Sequence, residues 1–177
     1  MLRGRTVLVG VSGGIAAYKT CELVRWLKRR EAAVVVLMTP AAERFVTPLT
    51  FEALSGNPVV TSLWEGQGRD FTLPRAAASR VRGRVGHIDL AEAADAVVLA
   101  PATAHLIARL VHGEAPDALT TIVLASRAPL VVCPSMDSGM WRNPATQDNV
   151  AVLRRRGATV VGPGLGELAS GLVGPGR

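Results

Sequence analysis

Aromatic side chains are scarce in this 177-residue chain, at 4%, although 49% of its residues are hydrophobic. The apolar mass is mostly Ala, Val and Leu, which suits helices packed closely on a buried sheet. Long apolar runs are missing too. No stretch approaches the eighteen or so residues of a membrane span, which argues against a membrane protein. Cysteine is nearly absent: Cys21 and Cys133 match neither a metal-ligand spacing nor a disulfide framework and read as small buried hydrophobes. The start, Met1 to Arg5, carries charge but leads into a β-branched run instead of a signal-peptide core, so a cytoplasmic protein is expected. Lysine is rare, and the net charge of +6 comes almost wholly from arginine. The arginines are scattered (Arg25, Arg29, Arg30; Arg80, Arg82, Arg84; Arg154, Arg155, Arg156) with no interleaved aromatics. That pattern argues against nucleic acid and leaves an anionic small substrate, or mere coding bias, as its meaning.

What is present is an alternation of strand and helix signals, the mark of a parallel sheet covered on both faces. A single α/β domain is predicted over 1–177, a three-layer sandwich of Rossmann-like or flavodoxin-like type. Strands are expected at Thr6–Val11, Ala33–Met38, Val59–Thr61, Ala96–Ala100, Leu130–Cys133 and Thr159–Val161. Helices are expected at Ile15–Arg30, Thr50–Ser55, Thr103–Val111, Leu119–Ala125 and Asn143–Arg156, the first with Leu23, Trp26 and Leu27 on its inner face. Residues 65–85 read as a flexible surface loop. The Gly- and Pro-rich tail 162–177 reads as loop as well.

Val9-Gly10-Val11-Ser12-Gly13-Gly14-Ile15-Ala16-Ala17 joins a buried strand to a helix. Glycines there permit a tight turn and a close backbone approach, and the helix start offers unpaired N–H groups to a phosphate. The spacing is neither the usual dinucleotide G-x-G-x-x-G register nor a P-loop. Ligands of open α/β sheets sit at the carboxyl ends of strands, and Ser12, Thr39, Thr103 and Ser135 fall at four such ends, where one cavity could collect them.

Taken in order, these segments resemble the homo-oligomeric flavin-containing cysteine decarboxylases, which include phosphopantothenoylcysteine decarboxylases of coenzyme A biosynthesis and the peptidyl-cysteine decarboxylases of lantibiotic maturation. The resemblance runs from Thr6 to Arg177. It is carried by Ser12-Gly13-Gly14-Ile15-Ala16-Ala17-Tyr18-Lys19, by Met38-Thr39-Pro40-Ala41-Ala42, by Phe45-Val46-Thr47-Pro48-Leu49-Thr50-Phe51, by Gly86-His87-Ile88-Asp89-Leu90, and by Pro134-Ser135-Met136-Asp137-Ser138-Gly139-Met140-Trp141 with Asn143-Pro144-Ala145-Thr146-Gln147. It implies that Ser12, Gly13, Gly14, Ile15, Thr39, Thr103, Ala104 and Ser135 border FMN, with Thr39 near its phosphate. It implies that His87 is the base and that Met136 and Asp137 meet the substrate. The implied chemistry is oxidation of the substrate's CH₂–SH to a thioaldehyde with electrons passing to FMN, so that loss of CO₂ leaves a stabilised enethiolate. A homotrimer or homododecamer is implied, with the flavin near a subunit boundary.

The chain departs from the family at three points. His105-Leu106 stands where Asn-Thr is usual. Asp137 stands where an asparagine binds the substrate carboxylate; like charges ~4 Å apart at an effective dielectric of ~20 repel by ~4 kcal/mol before screening. Ser170, in Leu168-Ala169-Ser170-Gly171, stands where the coenzyme A branch has a proton-donating cysteine, and a hydroxyl is a far weaker acid than a thiol. The function expected is decarboxylation of 4'-phosphopantothenoylcysteine to 4'-phosphopantetheine, with Ser170 at the catalytic position. The rivals are a peptidyl-cysteine oxidative decarboxylase giving an enethiol, a flavin prenyltransferase (which lacks the Pro134-type motif) and a catalytically silent FMN-binding regulatory subunit. In bacterial two-domain relatives a tail like 171–177 leads into a synthetase domain. His105 and His112 match no metal motif and read as structural or solvated, Trp141 as a core or oligomer anchor; no metal site is expected.

Overall fold

The computed structural model describes residues 2–64, 71–78 and 86–177, with Ala76 and Ala78 as backbone only. Five parallel strands form the sheet: β1 (Thr6–Val11), β2 (Ala33–Met38), β3 (Ala96–Ala102), β4 (Leu130–Pro134) and β5 (Thr159–Val160), in the order β2-β1-β3-β4-β5. Every residue of β1 is buried, as a central strand covered on both faces requires. The alternation along the strands divides the core in two. Val7, Val9 and Val11 of β1 with Val34, Val36 and Met38 of β2 face one side; Leu8, Val35, Leu37, Val97 and Leu99 face the other. Helices α1 (Ala17–Arg29) and α2 (Pro48–Ser55) cover the first face through Ala17, Val24, Leu27 and Phe51. The second face is covered by α4 (Gly86–Ala93), α5 (Ala104–His112), α6 (Ala118–Ala125) and α8 (Pro144–Arg155), through Leu90, Leu106, Ile107, Leu119, Ile122, Val150 and Leu153. This is the three-layer sandwich, with the strand order of a flavodoxin-like fold.

Local signals account for the helix ends. Thr103 caps α5, its Oγ1 accepting from Leu106 N at 3.3 Å, and the helix stops at Gly113, whose φ of +70° closes it in the left-handed conformation. Asp117 and Thr120 form a reciprocal capping box at the start of α6. Asn143 caps α8, which opens on Pro144. No helix among the described residues is long and apolar enough to cross a membrane.

Four expectations are corrected. Trp26 lies off the inner face of α1, 45% exposed, with Arg30 stacked 3.7 Å from its ring; Thr20 and Val24 take the buried positions. Val59–Thr61 makes a single parallel bridge, Leu37 to Val60, instead of a strand. The tail is an antiparallel hairpin, β6 (Leu165–Glu167) with β7 (Val173–Pro175), where glycine and proline content pointed to loop. Cys21 and Cys133 are half-buried, not fully buried. Of the expected surface loop, 65–70 and 79–85 lie outside the described residues. The stretch between them is packed: Phe71 and Leu73 lie on the second core, Ala77 in the short helix α3 (Arg75–Ala78) is buried, and Thr72 N donates to the Asn57 Oδ1 at 2.7 Å.

Candidate functional site

At the carboxyl edge of the sheet, side chains of the strand ends tie neighbouring strands together. Ser12 Oγ donates to Pro101 O at 2.7 Å and accepts from Thr103 N at 3.0 Å, clamping the end of β1 to that of β3. Thr39 N donates to Val11 O at 3.1 Å and Ser135 N to Ala102 O at 3.1 Å, extending the row to the ends of β2 and β4. Thr39 Oγ1 accepts from Ala42 N at 3.3 Å. The hydroxyls of Ser12, Thr39 and Thr103 are thus engaged in building the edge.

The backbone above that edge is not engaged. Among the described residues the N–H groups of Gly13, Gly14, Ile15 and Ala16 have no hydrogen-bond acceptor, while Ala17 N and Lys19 N already turn into α1 by donating to Gly14 O and Ala16 O. Four free donors at a helix start form a cradle for an anion. Glycine is required at position 13, because a Cβ there would run into Ala41. The cradle opens into a cavity of about 1090 Å³ between the ends of β1 and β3, the topological switch point where such sheets bind ligands.

Ser12, Gly13, Gly14, Ile15, Thr39, Thr103, Ser135, Met136, Asp137 and Ser170 all border this one cavity. Ser170 reaches it on the β6–β7 hairpin, which is docked by Met136 N donating to Gly176 O at 2.9 Å and Ser138 Oγ donating to Pro175 O at 2.7 Å. Asp137 caps the short helix α7 (Ser138–Arg142), its Oδ1 accepting from Gly139 N at 2.8 Å. An asparagine oxygen would serve that cap equally, so the exchange bears on the second carboxylate oxygen alone. Ala104, the first residue of α5, is not on the cavity wall. Nor is His87, half-buried at the second position of α4.

The wall also holds residues that sequence reasoning did not select. Lys19, Arg109 and Arg177 supply positive charge, Asp117, Asp137 and Glu167 supply negative, and His105 stands among them. His105, expected to be structural or solvated, is exposed and stands on the wall: it follows the Thr103 cap on α5, and Arg109 comes one turn later on the same face. The i, i+4 spacing from a capped helix start was the available signal. Burial pushes the Cys21 and Cys133 thiols above the ordinary range, and neither borders the cavity, so both are weak nucleophiles. Among the described residues no group of three or more His, Cys, Asp and Glu is placed to hold a metal ion.

The Flavoprotein family model matches residues 1–176. This chain belongs to the flavoprotein family. It is 53% identical over 176 residues to the coenzyme A biosynthesis bifunctional protein CoaBC of Vibrio vulnificus (strain YJ016), covering 99% of this chain and 41% of that protein. It is 50% identical to CoaBC of Escherichia coli (strain K12), covering 99% of this chain and 40% of that one. The chain therefore spans about two fifths of the length of these relatives. Among solved structures it is similar to the FMN-dependent cysteine decarboxylase SpaF, with a TM-score of 0.79 and 32% identity over 98% of this chain and 91% of that one. A mutant PPC decarboxylase complexed with pantothenoylaminoethenethiol superposes with a TM-score of 0.78 at 28% identity, covering 98% and 90%.

Proposed function

We propose that this flavoprotein is an FMN-dependent carboxy-lyase that converts 4'-phosphopantothenoylcysteine to 4'-phosphopantetheine in coenzyme A biosynthesis. The observation that carries the reading is the row of free N–H groups at Gly13–Ala16 opening on a large cavity at the β1–β3 switch point. The similarity to CoaBC over 99% of the chain and to cysteine decarboxylase structures supports it. The residues present fit a flavin mononucleotide: a cradle for a phosphate that position 13 keeps open, beside the apolar walls of Ile15, Leu106 and Met136. In this reading Gly13, Gly14 and Ile15 hold the phosphate end with Thr39, while Ser12, Thr103 and Ser135 frame the rest; Ala104, off the wall, is left without a cofactor contact. When bound, FMN supplies the two-electron acceptor that an unactivated cysteinyl carboxylate lacks. Met136 and Asp137 orient the substrate, and Ser170 on the hairpin borders its exit from water. His87 takes the substrate proton.

Because His87 lies off the wall of the cavity, the reading includes assembly as a homotrimer or homododecamer in which a neighbouring copy's α4 start approaches the site. Exposed Ile15, Tyr18, Phe45 and Leu49 around the first turn are apolar surface for that contact. Both cysteines are free, which suits the reducing cytoplasm in which we place the protein.

One rival has an observation in its favour. Ser170 cannot match the acidity of a thiol, and SpaF is a cysteine decarboxylase, so release of an enethiol after oxidative decarboxylation is the second reading. Incubating FMN-loaded protein with 4'-phosphopantothenoylcysteine and weighing the product decides between them. Phosphopantetheine is expected. A product two mass units lighter establishes the enethiol reading, and no turnover of this substrate or of a C-terminal cysteine peptide leaves a silent FMN-binding subunit. His87→Asn should lower kcat by about 10²–10⁴-fold with the yellow cofactor retained, and unchanged turnover would remove His87 from its role.

A further inference from the structure

Arg109 stands one helical turn beyond His105 on α5, and both reach the cavity. Its side chain is only 30% exposed, yet its nearest carboxylates are at ion-pair distance alone: Nε to Glu114 Oε2 at 3.8 Å and Nη1 to Asp117 Oδ2 at 3.6 Å. Neither contact is a hydrogen bond, so among the described residues the five N–H donors of the guanidinium are unspent. Glu114 is 60% exposed and screened by water, and contributes little. Asp117 is the opposite case. It is nearly buried, and its Oδ1 accepts from Thr120 N at 2.9 Å and Thr120 Oγ1 at 2.7 Å. The capping box of α6 therefore fixes Asp117, and Asp117, itself on the wall, holds Arg109 beside it.

A planar, rigid fork of donors facing a cavity is built to grip an oxyanion. A singly charged carboxylate would merely trade places with Asp117 as the partner of Arg109. A dianionic phosphomonoester brings an additional charge and more acceptor oxygens, and gains from the exchange. We propose that Arg109 anchors a phosphomonoester in this cavity and that Asp117 is its positioning residue. This rests on the function proposed above, which names two molecules with that group, the substrate and the flavin. The Gly13–Ala16 cradle already serves one phosphate, so the substrate's is the better candidate for Arg109.

The test compares wild type with Arg109→Gln, Arg109→Lys and Asp117→Asn, each first shown to be folded by circular dichroism. In the FMN-loaded enzyme, KM and kcat are measured for pantothenoylcysteine with and without its phosphate; in the apoprotein, FMN and riboflavin affinities are measured by fluorescence quenching. Arg109→Gln should cut the phosphate preference of one pair by about tenfold or more, and the pair affected names the source. Arg109→Lys should recover part of it, and Asp117→Asn should lose a smaller part. A third arm needs neither flavin nor turnover: the Gly13–Ala16 cradle is open to inorganic phosphate in every variant, so phosphate should raise the Tm of wild type by more than that of Arg109→Gln. Loss of the proposed activity with that shift intact sinks the decarboxylase reading and spares Arg109. Unchanged preference ratios in folded Arg109→Gln, equal losses with and without the phosphate, or a phosphate shift as large in Arg109→Gln as in wild type would each overturn the proposal.

Discussion

The β1–α1 turn and the β6–β7 hairpin meet at one cavity and are held there by different means. The turn grows out of a fully buried strand. Ser12 pins it to β3, Thr39 N pins β2 beside it, and Gly13 lies against Ala41 with no room for a side chain. The hairpin has no such foundation. It touches the sheet domain through the bonds of Met136 and Ser138, and its Gly166–Gly174 pair presents a face without side chains, Gly174 leaving no room for a Cβ beside Ser138 Oγ. Its other face leaves Leu165 and Val173 each 81% exposed. Local stability follows buried contacts, so the turn is the rigid half of the site and the hairpin the yielding half. A rigid cradle suits a cofactor that stays; a weakly docked flap suits a substrate that comes and goes.

If that division is right, damage to the two halves should separate cleanly. The largest effect is expected at Gly13→Ala, whose Cβ would force the turn away from Ala41 and misalign the donor row. FMN affinity should fall on the order of a hundredfold, read by flavin fluorescence, and retained affinity would remove the turn from its role as cradle. Gly176→Ala comes next. Its φ of +142° disfavours a side chain, and a Cβ would run into Met136 O, so the hairpin should lift. Substrate KM should then rise about tenfold while FMN affinity stays within about twofold; equal losses of both would erase the distinction drawn here. The smallest effect concerns the thiols, which lie outside both halves. Burial holds the Cys21 and Cys133 pKa values above their ordinary 9.0 in the folded state. On raising the pH past that value the unfolded chain releases thiol protons that the folded one retains, so stability declines. Wild-type Tm should therefore drop more steeply between pH 8 and pH 10 than that of Cys21→Ala/Cys133→Ala, and parallel curves would count against the shift.

The central frame was legible because its signals are local. Ala33–Met38, a six-residue apolar run with three consecutive valines, reads as a strand buried on both faces by its length and β-branching, and the glycine-bearing turn after Val11 announces itself through residue types that few other conformations need. Legibility failed where partners distant in sequence decide. The tail's composition matches loop, yet it pairs as a hairpin that bonds from Met136 and Ser138, nearly forty residues earlier, dock on the domain. Trp26 fits an apolar face by periodicity, but Thr20 meets Ala100 O through a 2.6 Å bond and rotates the buried stripe past it. Within the site, the strand-end residues could be picked out from the strand pattern. For His105 and Arg109 the i, i+4 spacing gives only a shared helix face, since nothing local says that the capped start of α5 meets the same hollow as the first turn.

The amino-acid order alone settled the alternation of elements, the parallel sheet and the position of the glycine-bearing first turn, because hydrophobic periodicity and glycine's steric freedom act over a few residues. Tertiary structure decided which strand ends converge, that Ser12 spends its hydroxyl on β3, that Arg109 keeps its donors beside the cavity, and that the tail folds back to cover it. Those outcomes depend on hydrogen bonds and contacts between segments up to about ninety residues apart, and such pairings are set only when the whole sheet closes.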